Sequence, residues 1–335
     1  MDEFFDAAQA HASGLGEEYV ALWTAMRAAG SGGRRLRPGL VVHAYRAAGG
    51  TDEACAVQVG EAIELLHTAF VMHDDVIDHD LRRRGRPNVS GEFVARGRRA
   101  GATPAAAAGY GQAAGILAGD LALVGALAAL ASVTVDESVR RRLTTLVHEA
   151  VRVTAAGELE DVHLGLGTHV PSIGEAVQVA ARKTAAYSFA LPLQAGALLA
   201  GADDDTLDRL GDLGLLLGIA FQLCDDLLGV FGDEARTGKS ALSDLREGKM
   251  TAVVAFAAST PGWVTIEPHL GDPTLSAAEA ATLRARLEAC GARQFVERLV
   301  DEHLDAARDL ARTLGLDAVV DRVTALAASD PGRAA

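Results

Sequence analysis

Aromatic residues make up only 4% of this 335-residue chain, so its core is not built around large rings. The 49% of hydrophobic residues must be mostly Ala, Leu and Val, a composition that favours helices. Cysteine is scarce. Cys55, Cys224 and Cys290 are too few and too scattered for a disulfide framework or a zinc site, and a reducing cytoplasm is the natural setting. Positive charge is in deficit, with 31 Lys and Arg against 45 Asp and Glu and a net charge of −14. That balance excludes a general nucleic-acid surface and leaves any anionic ligand dependent on local basic clusters or metal ions. The first residues, MDEFFDAAQAHASGLGEEY, carry acids where a secretion signal needs bases. No uncharged apolar stretch of about 18 residues reads as a membrane span. The nearest, Ile116 to Val135, holds Asp120, is rich in Ala and Gly, and reads as a buried core helix. Also missing are a mid-chain linker rich in Pro, Ser or charge, and any period-2 alternation bounded by hairpin turns.

What is present is apolar spacing of three and four residues almost throughout, which makes the chain all-α. The spacing predicts helices over 2–12, 17–29, 36–48, 53–79, 108–132, 136–166, 172–200, 204–231, 249–259, 276–290 and 292–328. One helical domain over 1–335 is expected, with a frayed tail from 328 onward. Two loops interrupt the pattern: Arg82 to Ala107, basic and glycine-rich, and Gly232 to Gly248. A third break, Ser259 to Thr274, contains Pro261, Pro268 and Pro273 and reads as structural.

Acids close two of the long apolar runs. Asp74, Asp75 and Asp78 follow the run Ala62 to Met72, and Asp225 and Asp226 end a second. Residues at i and i+4 share a helix face, so Asp74 and Asp78 place two like charges one turn apart. Ionised acids at the end of a buried helix need a partner or a cation. Magnesium meets that need, because it takes one or two carboxylates and completes its shell with water and phosphate oxygens. Arginines follow at Arg83 and Arg84, whose guanidinium forks suit phosphate oxygens. A second basic cluster, Gly32-Gly33-Arg34-Arg35-Leu36-Arg37-Pro38, sits at a helix start, where free N–H groups suit an anion. Lys239 and Lys249 follow the second acids, so the order of acids and then bases repeats. The expectation is two facing magnesium-carboxylate clusters gripping a diphosphate. The segment Gly232 to Ser240 nearly spells a nucleotide-binding P-loop, but five residues separate Gly232 from Gly238 where that loop requires four.

From Gly32 to Thr251 the chain resembles the polyprenyl synthetases, the trans-prenyltransferases that condense isopentenyl diphosphate with an allylic diphosphate. The resemblance lies in GGRRLRP, in ELLHTAFVMHDDVID with RRG following, in Gly115 to Asp120, in Gly157 to Asp161, in Lys183-Thr184, and in FQLCDD with TGK and DLREGK. It implies a single large helical bundle around a central cavity, a homodimer, and three magnesium ions ligated by Asp74, Asp78 and Asp225 and supported by Asp75 and Asp226. It further implies that Arg83, Lys183, Lys239 and Lys249 hold the allylic diphosphate. Isopentenyl diphosphate would be held by Arg34, Arg37, His67 and Arg84. Thr184, Gln222 and the Lys183 carbonyl would face the developing carbocation.

Three positions depart from the family pattern. Gly229 stands where the second motif has its third Asp, Arg34 replaces Lys, and Glu158 replaces Gln. Gly229 reads as a tolerated vacancy, with Asp233 offsetting the lost charge. The alternative is a non-catalytic, regulatory subunit. A class I terpene cyclase is disfavoured because its (N/D)DxxSxxxE motif is absent: counting from Asp225 gives Gly229 and Asp233. Product length is read from the helix before Asp74. Phe70 shares the face of Asp74, and Ala69 leaves space beside it, which predicts mainly geranylgeranyl diphosphate (C20), with farnesyl diphosphate (C15) as the alternative.

Overall fold

Helices account for nearly all regular structure in the chain, as its low aromatic and high Ala, Leu and Val content demands. A computed structural model describes residues 1–32, 35–232 and 243–329. The order is α1 Asp2–Ala12, α2 Glu17–Gly30, α3 Leu36–Ala47, α4 Ala54–Ile77, a ribbon of β1 Arg82–Arg83 and β2 Arg86–Pro87, α5 Val89–Arg99, α6 Pro104–Ser132 and α7 Glu137–Gly165. Next, α8 Ile173–Val179 passes through a π-helical stretch, Ala180–Ala190, into α9 Leu191–Leu199, and α10 Asp204–Phe231 follows. After α11 Ser243–Glu247 and α12 Ala252–Ala258 come 3₁₀ turns at Pro261–Thr265 and Glu267–His269, then α13 Ala277–Ala289, α14 Ala292–Leu314 and α15 Asp317–Ser329.

The contacts divide the chain into two compact units, Met1–Gly39 with Asp52–Asp136, and Leu40–Thr51 with Glu137–Ala335. Within the first, α6 packs on α4 and α5. Within the second, α10 packs against the π-helical stretch and α14, and α7 packs against the π-helical stretch and α9. Helix starts are fixed by side-chain caps: Asp203 accepts from the Thr206 N–H at 2.9 Å to begin α10. Ser172 with Glu175 and Ser276 with Glu279 form capping boxes on α8 and α13.

Several sequence expectations need correction. The supposed loop from Arg82 to Ala107 holds the ribbon, all of α5 and the start of α6. Asn88 makes that possible, accepting from the Gly91 N–H at 2.8 Å and donating to the Asp80 carbonyl at 2.8 Å. Arg96, Arg98 and Arg99 in the last turn of α5 complement the helix dipole. The span 292–328 is broken where Gly315 adopts φ 68°, which ends α14. The span 172–200 is not uniformly α; its π-helical stretch precedes Pro192, whose missing N–H and ring disturb the preceding turn.

Three helices, Ala54–Ile77, Pro104–Ser132 and Asp204–Phe231, are long and apolar enough to cross a membrane by length and composition, contrary to the expectation that none is. The reading of 116–135 as a buried core helix also fails on one side. Ile116, Leu117, Val124 and Leu127 are 43%, 55%, 64% and 46% exposed, while Ala118, Ala122 and Ala126 face inward.

Candidate active site

The apolar run of α4 buries Ile63, Leu65, Leu66 and Met72, which fixes the rotation of the helix and so the face its acids present. Asp78 caps the C-terminus, its N–H donating to the Asp74 carbonyl at 2.8 Å, so the two acids lie one turn apart as their spacing predicts. His79 then turns left-handed at φ 58° and sends the chain into the ribbon. Between β1 and β2 lie Arg84 and Gly85, with φ 51° and 72°, the two positive angles a tight two-residue hairpin needs. That hairpin folds the arginines back over the end of α4. Arg83 Nε donates to Asp75 Oδ1 at 2.8 Å and Arg83 Nη2 to Asp74 Oδ2 at 2.9 Å, one guanidinium straddling adjacent carboxylates. Asp75 is buried, and burial pushes its carboxyl up to about 6 despite the opposing effect of Arg83. For Arg83, burial alone would lower the pKa, but Asp75 and Asp74 outweigh it and hold the guanidinium above its usual value.

A basic cluster lies in the same unit. Arg37 and His67 are both buried, and Arg84 lies beside Gly32, where an added Cβ would meet Arg84 Nη1 at 3.5 Å. Burial holds His67 well below its ordinary pKa, and Arg37, Arg83 and Arg84 push it the same way. His67 therefore stands neutral, with a ring that can hydrogen-bond but carries no charge. Glu64, one turn before His67, was missed by sequence reasoning. It is buried, and its Oε2 lies 3.8 Å from Arg37 Nη1. Its place in an apolar run, three residues before a predicted ligand, was the available signal.

In the second unit the π-helical stretch carries Lys183 and Thr184, and α10 carries Gln222, Asp225 and Asp226. Gly157 on α7 allows the close approach of this stretch, since a Cβ there would lie 2.4 Å from the Lys183 backbone nitrogen. Lys183 Nζ bonds Asp161 at 2.7 Å and lies 3.1 Å from Glu158 Oε2. Thr184 Oγ1 donates to Gln222 Oε1 at 2.8 Å, and Gln222 Nε2 donates to Asp226 Oδ1 at 2.9 Å. Burial pushes the Asp226 carboxyl up to about 8 against the pull of the Gln222 bond, with Asp225, Asp244 and Asp161 adding repulsion. Lys249 pairs with Glu247 at 3.3 Å. Arg34, Asp233 and Lys239 lie outside the described residues.

A family model described as polyprenyl synthetase matches residues 22–281. The chain belongs to the polyprenyl synthetase family. It is a trans-prenyltransferase by class. This polyprenyl synthetase is 33% identical over 294 residues to a geranylgeranyl diphosphate synthase of Mycobacterium tuberculosis, covering 86% of this chain and 78% of the relative. It is 32% identical over 292 residues to a (2E,6E)-farnesyl diphosphate synthase of Mycobacterium bovis, covering 85% and 75%. A solved geranylgeranyl pyrophosphate synthase from Corynebacterium glutamicum, complexed with isoprenyl diphosphate and magnesium, matches with a TM-score of 0.89 at 29% identity, over 97% of this chain and 95% of that one. The resemblance and the all-helical fold read from the sequence are both borne out.

Set within the polyprenyl synthetase pattern, two local expectations change. Position 229 is not vacant: a Cβ on Gly229 would lie 1.8 Å from Asp244 Oδ2, so the place is filled by that carboxylate. Ala69 is fully buried, leaving no solvent-sized space against its methyl group, whereas Phe70 is half-buried. Among the described residues, no three His, Cys, Asp or Glu side chains form a ready metal cage. Paired carboxylates are nonetheless the hard oxygen donors that suit magnesium, which takes its remaining ligands from water and phosphate.

Proposed function

We propose that this polyprenyl synthetase condenses isopentenyl diphosphate with an allylic diphosphate (dimethylallyl, geranyl or farnesyl) to give mainly geranylgeranyl diphosphate. Farnesyl diphosphate is the alternative product, and both names occur among its relatives. The observation that carries the reading is the pairing of Asp74 and Asp78 one turn apart, with Arg83 forked onto the same helix end. Asp74, Asp78 and Asp225 are the proposed ligands for three magnesium ions, supported by Asp75 and Asp226. Magnesium, when bound, neutralises charge developing on the departing diphosphate oxygen. Arg83, Lys183, Lys239 and Lys249 bind the allylic diphosphate and stabilise it as the C1–O bond breaks. Arg34, Arg37, His67 and Arg84 bind isopentenyl diphosphate, whose alkene attacks the allylic cation. Thr184 and Gln222, oriented by their mutual hydrogen bond, face that cation with the Lys183 carbonyl. The proton lost after attack leaves with pyrophosphate, so no side-chain base is required.

The enzyme acts in the cytoplasm as a homodimer. Support for the dimer comes from α6, where Ala113, Leu117, Val124 and Leu127 fall on an exposed stripe of coiled-coil spacing. The deciding experiment incubates purified protein with magnesium, isopentenyl diphosphate and each allylic primer, followed by chromatography of the dephosphorylated products. A C20 alcohol is expected. A product of C30 or longer overturns the product assignment, and no condensation with any primer supports the regulatory-subunit alternative.

A further inference from the structure

Gly229 lies in the last turn of α10, four residues after Asp225, so a side chain at 229 would project from the face that carries Asp225. Glycine in such a position weakens a helix relative to alanine, and the surroundings explain its presence. A Cβ there would lie 1.8 Å from Asp244 Oδ2, 2.7 Å from its Cγ and 3.4 Å from Oδ1. The carboxylate of Asp244 thus sits where a side chain at 229 would begin, and only glycine admits it.

We propose that Asp244 supplies the carboxylate that the second acid cluster lacks at position 229, completing the metal-binding face of α10 from a neighbouring helix. The inference rests on the proposed reading of Asp225 as a magnesium ligand. Asp244 is well supported for this task. Leu245 is buried, its carbonyl accepts from the Gly271 N–H at 2.9 Å, and Arg246 Nε and Nη2 donate to the Leu275 carbonyl at 3.0 and 2.6 Å. The Lys249 N–H closes the segment by donating to the Asp244 carbonyl at 3.0 Å. These bonds clamp α11 on the C-terminal side of Asp244, which fixes the backbone that delivers its carboxylate. Asp225 and Asp244 thereby reproduce on α10 the two-acid arrangement that Asp74 and Asp78 make on α4. They do so with the second acid arriving through space instead of along the helix. Asp244 also adds negative charge near Asp226, an accumulation that a bound cation relieves.

The arrangement demands reciprocity between the two positions. Gly229→Asp alone forces two carboxylates into one place and should impair the site. Asp244→Asn keeps the shape and removes the charge. The exchange Gly229→Asp with Asp244→Ala returns the acid to the helix and should restore what either change alone removes. The readout is manganese binding to full-length protein in the presence of inorganic pyrophosphate, followed by electron paramagnetic resonance, with circular dichroism as the folding control. Each single variant should weaken binding about tenfold or more, and the exchange should return it to within about threefold of wild type. Asp244→Asn binding like wild type, or an exchange variant no better than the weaker single variant, overturns the proposal. Asp225→Ala separates the two levels. If it weakens binding while Asp244→Asn does not, this inference alone fails; if it changes nothing, the metal reading fails and takes this inference with it.

Discussion

Glu158 Oε2 lies 3.1 Å from Lys183 Nζ, and both side chains are mostly shielded from solvent. The family pattern has a neutral glutamine at 158, so the lysine proposed to grip the allylic diphosphate is here drawn toward an additional carboxylate. Binding of the diphosphate then requires an exchange of ionic partners, with Asp161 remaining as the second acid on the lysine.

Glu158→Gln should therefore tighten allylic substrate binding. The expected change is a fall in KM for the allylic diphosphate of about three- to tenfold, in the range of a partly buried charge-assisted bond. The KM for isopentenyl diphosphate should stay within about twofold. Initial rates at varied allylic substrate check this, and an unchanged or raised allylic KM would show that Glu158 does not compete for Lys183.

Asp74→Ala and Asp78→Ala should each abolish condensation while leaving helix content intact, because each removes a proposed metal ligand and relieves repulsion along α4. Turnover and circular dichroism are read on the same preparations. Retention of more than about a tenth of the wild-type rate, a barrier change below ~1.4 kcal/mol, would defeat the assignment.

Asp226 gives a pH signature without metal. Its folded carboxyl, pushed up to about 8, holds a proton that the unfolded chain has released above about pH 4. Stability from this group is thus present at low pH and lost as pH rises toward 8. Asp75, at about 6, acts in the same direction over the lower part of that window. In chelator, the melting temperature of the wild type should fall between pH 5 and pH 8 by more than that of Asp226→Asn, which cannot ionise. Equal falls in the two proteins would refute the shifted carboxyl.

Product length is tested at Ala69. Because its methyl group is fully buried, Ala69→Phe must displace packed neighbours, at about 1–3 kcal/mol. The main product should shorten to C15 or less, and the melting temperature should drop with it. A destabilised variant that still makes the wild-type chain length would separate Ala69 from the product pocket.

Much of this was legible locally. The span 204–231 follows from apolar periodicity and its Asp203 cap, and the Asp74–Asp78 face follows from helical spacing alone. Helix α5 was hidden because its sequence is short, rich in Arg and Gly and poor in apolar residues, even though Val89, Phe93 and Gly97 recur at helical spacing on its buried face. It is held by the local Asn88 cap and by a fit that sequence spacing does not show, the close approach of Gly91 to the preceding loop, where a Cβ would meet the Leu81 carbonyl oxygen. The filling of position 229 by Asp244 was likewise unreadable, since it depends on where the backbone returns after residues 233–242. Sequence spacing shows which groups share a helix face, but not which groups from another segment come to rest against it.

The ribbon turn sets backbone strain against the proposed anion site. Arg84 takes a left-handed backbone conformation, which costs a residue with a side chain roughly 1–2 kcal/mol relative to one that adopts it freely. Glycine or asparagine at 84 would make the better hairpin, and Arg84→Gly should yield a more stable protein with a poorer anion site. On the proposed reading, the residue least suited to the turn serves the diphosphate it would bind rather than the fold.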